Sequence, residues 1–343
     1  MISKIFLLKP EVLMHFRFRF PSIVLVVMFF AISGPVRSQQ PSADARPVEE
    51  GYLTGANDAR LFYRVVGVSR DTIVAVHGGP GAGMNAFYPE VKPLAQNHTV
   101  IFYDQRGGGR SELPADTTKL HARFFVKDLE AVRRHFGLGR MKIVAHSFGA
   151  VLVARYMQKS PTRVERTVFL GATGPKRKEA AKLARSQYAE MDSTIRRRLG
   201  KIFGLLKSGK AEDPVALCRE YGRLIEGLAN KKGEPTNWRG STCDAPPEAV
   251  RYYYRYTAWI APDTFGDWDF TNNLDHVSAP LLVIYGDRDS LALEQQRAWA
   301  EAVPHGRLFV VPDAGKGAIA DRPDLVFPAL HTFLGGDWPE GAR

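Results

Sequence analysis

The sequence predicts an α/β fold: a mostly parallel central sheet, helices on both faces, and an inserted helical lid. Three observations lead to it. First, short apolar runs recur along the chain: LFYRVV (61–66), TIVAVH (72–77), TVIFYD (99–104), MKIVAH (141–146), TVFLGA (167–172), PLLVIYG (280–286) and RLFVVP (307–312). Runs this continuous suit strands buried on both faces of a parallel sheet. Second, helix patterns separate them, and strands alternating with helices build a parallel sheet. Third, the alternation breaks between about Gly174 and Asn272, where no strand run appears, and then resumes.

The elements follow in order. Residues 1–38 combine basic groups (Lys4, Lys9, Arg17, Arg19), the apolar run PSIVLVVMFFAI and the small residue Ser38, the parts of a cleaved signal peptide. The apolar run is shorter than the roughly 20 residues that span a bilayer, so an uncleaved anchor is the weaker alternative. Met14 offers a second start. Cleavage before Gln39 removes five basic groups and one acid, which leaves a net charge of +7 and a periplasmic or secreted protein. The polar stretch 39–50 reads as a linker. Residues 51–174 form the first part of the core, 175–272 the lid and 273–343 the second part of the core. Within the core, 124–136 places Phe125, Leu129, Val132 and Phe136 on one helical stripe, and helices follow over 148–160, 294–303 and from Pro323 to Leu334. Cys218 and Cys243 are the only cysteines. Both fall in the lid, and an exported even pair is expected to form a disulfide there.

The chemistry centres on AHSFG (145–149) between a strand and a helix. A sharp turn of that kind lifts the Ser147 hydroxyl above the sheet, and the small residues Ala145 and Gly149 let neighbouring backbone approach. HGGPGAG (77–83) follows the TIVAVH strand. Its paired glycines can aim a backbone N–H at a substrate carbonyl, together with the N–H of Phe148. A phosphate-binding loop is disfavoured by the absence of the Lys-Ser/Thr pair that such loops carry. In YDQRGGGRS (103–111), Asp104 and Arg106 are expected to pair and tie down the glycine turn. YGDRDS (285–290) offers Asp287 and Asp289 at a strand end; the Gly-x-x-Asp spacing favours Asp289 as the acid, with Asp287 a loop residue. Ser before Asp is the order of one serine-hydrolase fold and not of the others.

With HGGPGAG, DQRGGGRS, AHSFG, GDRD and the loop after the last strand in place, the chain resembles the proline iminopeptidase branch of the α/β-hydrolase fold from about Gly51 to Leu334. The resemblance implies a Ser–His–Asp triad, a helical lid, no cofactor or metal, and cleavage of N-terminal residues, often proline, from small peptides. By motif, Ser147 is the nucleophile, Asp289 the acid, and Gly79 and Phe148 the oxyanion donors. The family's histidine should stand at position 316.

The residue there is Lys316, in VPDAGKGAIADRP (311–323), and none of the nine histidines lies in that loop. A lysine needs its pKa lowered from near 10.4 to serve as a base. With Asp289 expected alongside, the opposite charge favours the ammonium. The expectation is therefore a charged Lys316 paired to Asp289 and strongly reduced activity. Two other classes compete: a non-catalytic binding protein on a hydrolase scaffold, and an esterase or amidase of non-peptide substrates.

The end of the lid is aromatic from Tyr252 to Trp268. Most of these rings pack the lid; Trp259 and Trp268 are the candidates for an apolar substrate wall. Glu226, Glu248, Asp263 and Asp267 are the lid carboxylates available to a substrate amine. From Lys176 to Lys210 there are eleven basic residues against three acids. Nucleic acid is a poor partner for an exported chain of this pattern. The stretch reads as a solvated helix face or as one weakly attracted to anionic lipid headgroups. The partner expected at the site is a small peptide, amide or ester substrate. The sequence leaves the oligomeric state open.

Overall fold

The computed structural model describes residues 48–229 and 237–343. Residues 1–47, which carry the signal-peptide reading and most of the linker reading, lie outside the described residues, as does the side chain of Glu226.

An eight-stranded sheet runs through the molecule in the order β1-β2-β4-β3-β5-β6-β7-β8. The strands are β1 (Val48–Thr54), β2 (Arg60–Val66), β3 (Thr72–Val76), β4 (Thr99–Tyr103), β5 (Met141–His146), β6 (Val164–Leu170), β7 (Leu281–Gly286) and β8 (Gly306–Val311). β1–β2 and β2–β4 pair antiparallel; every pairing from β4 through β3 to β8 is parallel. β1 begins inside the segment read as a linker. Its sequence, VEEGYLT, keeps only Leu53 deeply buried, so the edge strand lacks the apolar run that marks the others.

The central strands are apolar on both faces because each face has its own core. Val74 and Val76 of β3 and Leu281 and Val283 of β7 join one cluster; Ile73, Ala75, Leu282 and Ile284 join the other. Burying each such side chain contributes about 1.5–3 kcal/mol. The helices cover these faces: α1 (Tyr88–Val91), α2 (Ala122–His135), α3 (Gly149–Lys159), and, after the lid, α9 (Ser290–Glu301), α10 (Ala318–Asp321) and α11 (Pro323–Gly335). On α2 the expected stripe of Phe125, Leu129 and Val132 is buried, and the chain leaves the helix through Gly137 at φ 62°.

Between β6 and β7 lies an all-helical insertion: α4 (Arg177–Ala189), α5 (Ser193–Ser208), α6 (Pro214–Ala229), α7 (Pro247–Tyr252), a π turn (Tyr253–Thr257) and α8 (Ala258–Thr264). Its two ends run together. Lys176 bridges Asp269, and the N–H of Phe270 donates to the carbonyl of Pro175 at 3.1 Å. The insertion has a small core of its own around Ile202, Leu206, Val250 and Tyr254, with the Cys218–Cys243 disulfide inside it. Closing a loop of 25 residues there stabilises the lid by about 3 kcal/mol in the chain-entropy model.

Candidate active site

The Ser147 turn is built by steric need. β5 ends at His146, α3 begins at Gly149, and Ser147 between them sits in the left-handed region at φ 53°. A non-glycine residue held there is strained, and such strain recurs at functional turns. A Cβ on Gly149 would lie 2.6 Å from the carbonyl oxygen of Val76 and 2.9 Å from that of His77. Only glycine lets α3 start so close to β3. A Cβ on Gly78 would lie 3.0 Å from the Ser147 Cβ and 3.5 Å from the Phe148 nitrogen, so the Gly78–Gly79 backbone runs beside the N–H of Phe148. Gly79 itself has φ 122°.

Buried polar side chains fix this backbone. His77 Nδ1–H donates to the carbonyl of Gly78 at 2.7 Å, while Nε2 accepts from the N–H of Gln105 at 3.1 Å. Both ring nitrogens are thus used by a neutral imidazole, and burial pushes the His77 pKa down to about 4. The Gln105 amide donates to the carbonyl of His77 (2.7 Å) and accepts from the N–H of Gly81 (3.1 Å). Asp104 accepts from the N–H groups of Met84 (2.6 Å) and Arg110 (2.7 Å), and burial raises its pKa to about 6. The expected Asp104–Arg106 pair is therefore corrected. Arg106 turns toward α2 and makes a bidentate pair with Asp128, both contacts at 2.6 Å. Asp128 also accepts from the N–H of Ala56, which draws the guanidinium under the β1–β2 turn.

The opposite side of the site is made by the loops after β7 and β8. They lie side by side: the N–H of Gly286 donates to the Gly315 carbonyl (3.1 Å), that of Arg288 to Ala314 (3.0 Å), and that of Asp313 to the Asp287 carboxylate (3.0 Å). Asp287 is thus a loop brace, as expected. Lys316 crosses Gly171, where a Cβ would meet the Lys316 carbonyl oxygen at 2.5 Å and its Cγ at 3.0 Å. Its Nζ ends 3.3 Å from Ser147 Oγ.

The expected pairing of Lys316 with Asp289 is not formed. Among the described residues no ion pair joins them. Asp289 caps α9 through the N–H of Ala292 (3.1 Å) and takes the side-chain amide of Gln187, on lid helix α4, at 3.0 Å. Its two oxygens are taken by the helix and the lid. Desolvation, unopposed by a nearby carboxylate, lowers the Lys316 pKa. Lys316 is exposed to water as a whole residue, yet protein atoms crowd its ammonium as they would in an interior. Crowding denies the ammonium a full hydration shell and so disfavours the charged form.

Trp238 is a wall residue that sequence reasoning misses. It stacks on His146 (centroids 4.6 Å apart), lies nearly parallel to Phe87 (6.3 Å), and its indole N–H donates to the Ala86 carbonyl at 3.2 Å. Glu90 pins the adjoining backbone by accepting from the N–H groups of Arg239 and Gly240. The only sequence signal for Trp238 is a lone tryptophan two residues before a glycine (NWRG) in a polar stretch. His146, stacked and desolvated beside Lys316, is pushed down to about 3.

Trp268 packs edge-on against Phe148 (5.5 Å) and donates to the Gly174 carbonyl, backing the Ser147 turn. Trp259 faces Phe203 and Lys207 within the lid and donates to the Tyr254 carbonyl. Of the lid carboxylates, Asp263 pairs with Arg177 and Asp267 with Lys178, and Glu248 is exposed. A separate cavity of about 420 Å³ opens between core and lid beside Arg64, Arg110, Arg219 and Cys243; neither Ser147 nor Lys316 lines it.

Residues 71–323 match the family model described as the alpha/beta hydrolase fold. A proline iminopeptidase of Lactobacillus crispatus is 36% identical over 287 residues, covering 80% of this chain and 94% of that protein. One of Levilactobacillus brevis is 26% identical, covering 80% and 93%. The crystal structure of the Mycobacterium smegmatis proline iminopeptidase superposes with a TM-score of 0.61 at 20% identity, covering 84% of this chain and 98% of that one. The left-handed serine between β5 and α3 and these long matches agree: the chain belongs to the α/β-hydrolase family, on its proline iminopeptidase branch of serine hydrolases.

Proposed function

We propose that the protein is an exported serine hydrolase that cleaves N-terminal residues from small peptides, or related amides and esters. The observation that carries this reading is Ser147 at φ 53°, set beside the Gly78–Gly79 backbone with Lys316 Nζ at 3.3 Å. Ser147 attacks the scissile carbonyl. The N–H groups of Gly79 and Phe148 receive the oxyanion, a contribution worth about 10²–10³ in rate for one donor. By motif Asp289 occupies the acid's position, though its carboxylate is held by Ala292 and Gln187, and Lys316 stands where the family has its base. With lysine there, activity at neutral pH is low. Trp238, Phe148 and Trp268 supply an aromatic surround for an apolar residue or acyl group. Export rests on the basic, apolar and small-residue pattern of residues 1–38. N-terminal sequencing of exported protein should begin at Gln39; a chain starting at Met1 or Met14 rejects cleavage.

Hydrolysis of an esterase or amidase type is a second reading. It is favoured by Asp263 and Asp267, which are already held by Arg177 and Lys178 and so are not poised for a substrate amine. A panel of N-terminal-residue anilides, N-acetylated counterparts and short acyl esters separates the two. Preference for free-amine anilides supports the aminopeptidase; equal or better cleavage of blocked amides and esters supports the second reading. Absence of Ser147-dependent turnover on every substrate leaves a binding protein.

A further inference from the structure

We infer that Lys316 is the general base of a Ser147–Lys316 dyad that works without Asp289. This deepens the serine-hydrolase reading and rests on it. Three observations carry it. Nζ is within hydrogen-bond reach of Ser147 Oγ at 3.3 Å. The motif acid is committed to Ala292 and Gln187. No carboxylate of the described residues forms an ion pair with Lys316.

The surroundings favour a neutral amine. From the elbow Lys316 faces His146, and from the oxyanion loop His77 lies behind it; both are neutral at pH 7. The loop after β6 presents Gly171, which does not titrate. In the loop after β7, Asp287 holds the N–H of Asp313, Asp289 holds α9 and Gln187, and Arg288 is itself partnered. In its own loop, Asp321 accepts the N–H of Gly315 at 2.9 Å, and Asp313 follows β8. Behind Trp238, Glu90 is paired with Arg239. Asp287, Asp289 and Asp321 are thus spent on backbone and lid and Glu90 on backbone and Arg239, while the crowding protein atoms disfavour the ammonium. A lysine in that condition is a usable base, because its neutral form carries a lone pair.

The step balances. The neutral amine takes the Ser147 Oγ proton as Oγ bonds to the carbonyl carbon, and the oxyanion forms against Gly79 and Phe148. The resulting ammonium returns the proton to the leaving nitrogen or oxygen as its bond to carbon breaks, leaving an acyl-serine. Water then attacks, gives its proton to Lys316, and the acid product leaves as that proton passes back to Ser147. Nothing further is consumed.

The test measures the rate at which a fluorophosphonate labels Ser147 between pH 6 and 9.5, corrected for probe hydrolysis, in the parent, Lys316→Ala, Lys316→Arg, Lys316→Met and Ser147→Ala. This readout needs no knowledge of the substrate. The parent rate should climb about tenfold per pH unit until the amine is deprotonated. Lys316→Arg and Lys316→Met should lose about 100-fold or more at the upper end. Methylamine should raise the rate of Lys316→Ala but not of the parent. A pH-independent parent rate, or Lys316→Met labelling as fast as the parent, overturns the dyad while leaving Ser147 as the nucleophile. Labelling that survives Ser147→Ala, or is absent at every pH, overturns the hydrolase reading itself. The parent's pH profile decides even if a variant fails to fold.

Discussion

The two halves of the site are built to different standards. On the oxyanion side, the loops after β3 and β4 are locked by His77, Gln105 and Asp104, each nearly sealed from water and each spending its polar atoms on backbone. Beneath them Arg106 and Asp128 form a fully buried bidentate pair. On the base side, Lys316 is exposed as a residue, Asp289 is half-buried, and the latter's lid contact is the exposed amide of Gln187. The difference teaches where this chain holds its catalytic geometry. The backbone of the proposed oxyanion side is preorganised by buried polar contacts, whereas proton transfer in the proposed dyad rests on one lysine that no ion pair with a described carboxylate supports. Substitutions on the first side should cost stability or geometry. Those on the second should change rate and pH dependence with the fold intact.

The largest effect is expected at Arg106. Arg106→Ala leaves the Asp128 carboxylate buried without its partner, and breaking such a pair destabilises by about 3–5 kcal/mol. Urea unfolding reads this directly; a loss below 1 kcal/mol would mean that the locked side is less dependent on its polar core than described. Next comes Gly149→Ala, whose methyl would press on the Val76 and His77 carbonyls. Ser147 labelling should fall about 100-fold as the turn draws away from its oxyanion donors, and an unchanged rate would break the steric account of the elbow.

A smaller effect concerns pH. The folded-state pKa of Asp104 is raised to about 6 from 3.8. A carboxyl with a raised folded pKa binds more protons folded than unfolded between those values, so its contribution to stability grows as pH falls through 6. His77, depressed to about 4 from 6.5, works the other way, because unfolding lets it charge as pH falls below 6.5. The two oppose each other, and the parent conceals both. Asp104→Asn removes the first alone and should lose about 1 kcal/mol more than the parent between pH 7 and pH 5, measured by denaturant unfolding at the two pH values. Equal losses would place the Asp104 pKa near its ordinary value. The smallest effect is expected at Gln187. Gln187→Ala removes an exposed hydrogen bond and should alter labelling by about threefold or less; a large change would show that the lid controls the base side through Asp289.

Much of this was legible in the sequence where local chemistry forces structure. Strands apolar on both faces, such as TIVAV and LLVIYG, can only be interior, and HSFG between a strand and a helix demands the tight turn that Gly149 permits. The edge strand β1 was not legible, because an edge needs no apolar run. Nor was the choice of partners among charged groups. Arg106 and Asp128 are 22 residues apart and meet only because α2 packs under the β1–β2 turn. The aromatic wall depends on a segment after α6 folding back over Phe87 and His146, which places Trp238 where no motif points. The same limit explains the Lys316–Asp289 expectation. Motif spacing put both residues at the site, but where each side chain turned was decided by the helix cap on α9 and by Gln187.

The independence of Lys316 from Asp289 on the base side is tested most directly by a double-mutant cycle on the labelling rate of Ser147 at pH 9, using Lys316→Met, Asp289→Asn and the double variant. Asparagine retains the helix cap, so the α9 terminus stays in place. Coupled catalytic residues are strongly non-additive, each single loss approaching that of the whole set. The dyad predicts a large loss for Lys316→Met, a small one for Asp289→Asn, and addition of the two within about 0.5 kcal/mol. A loss of about 100-fold for Asp289→Asn alone, vanishing when Lys316 is already methionine, would contradict it and restore a triad with lysine at its centre.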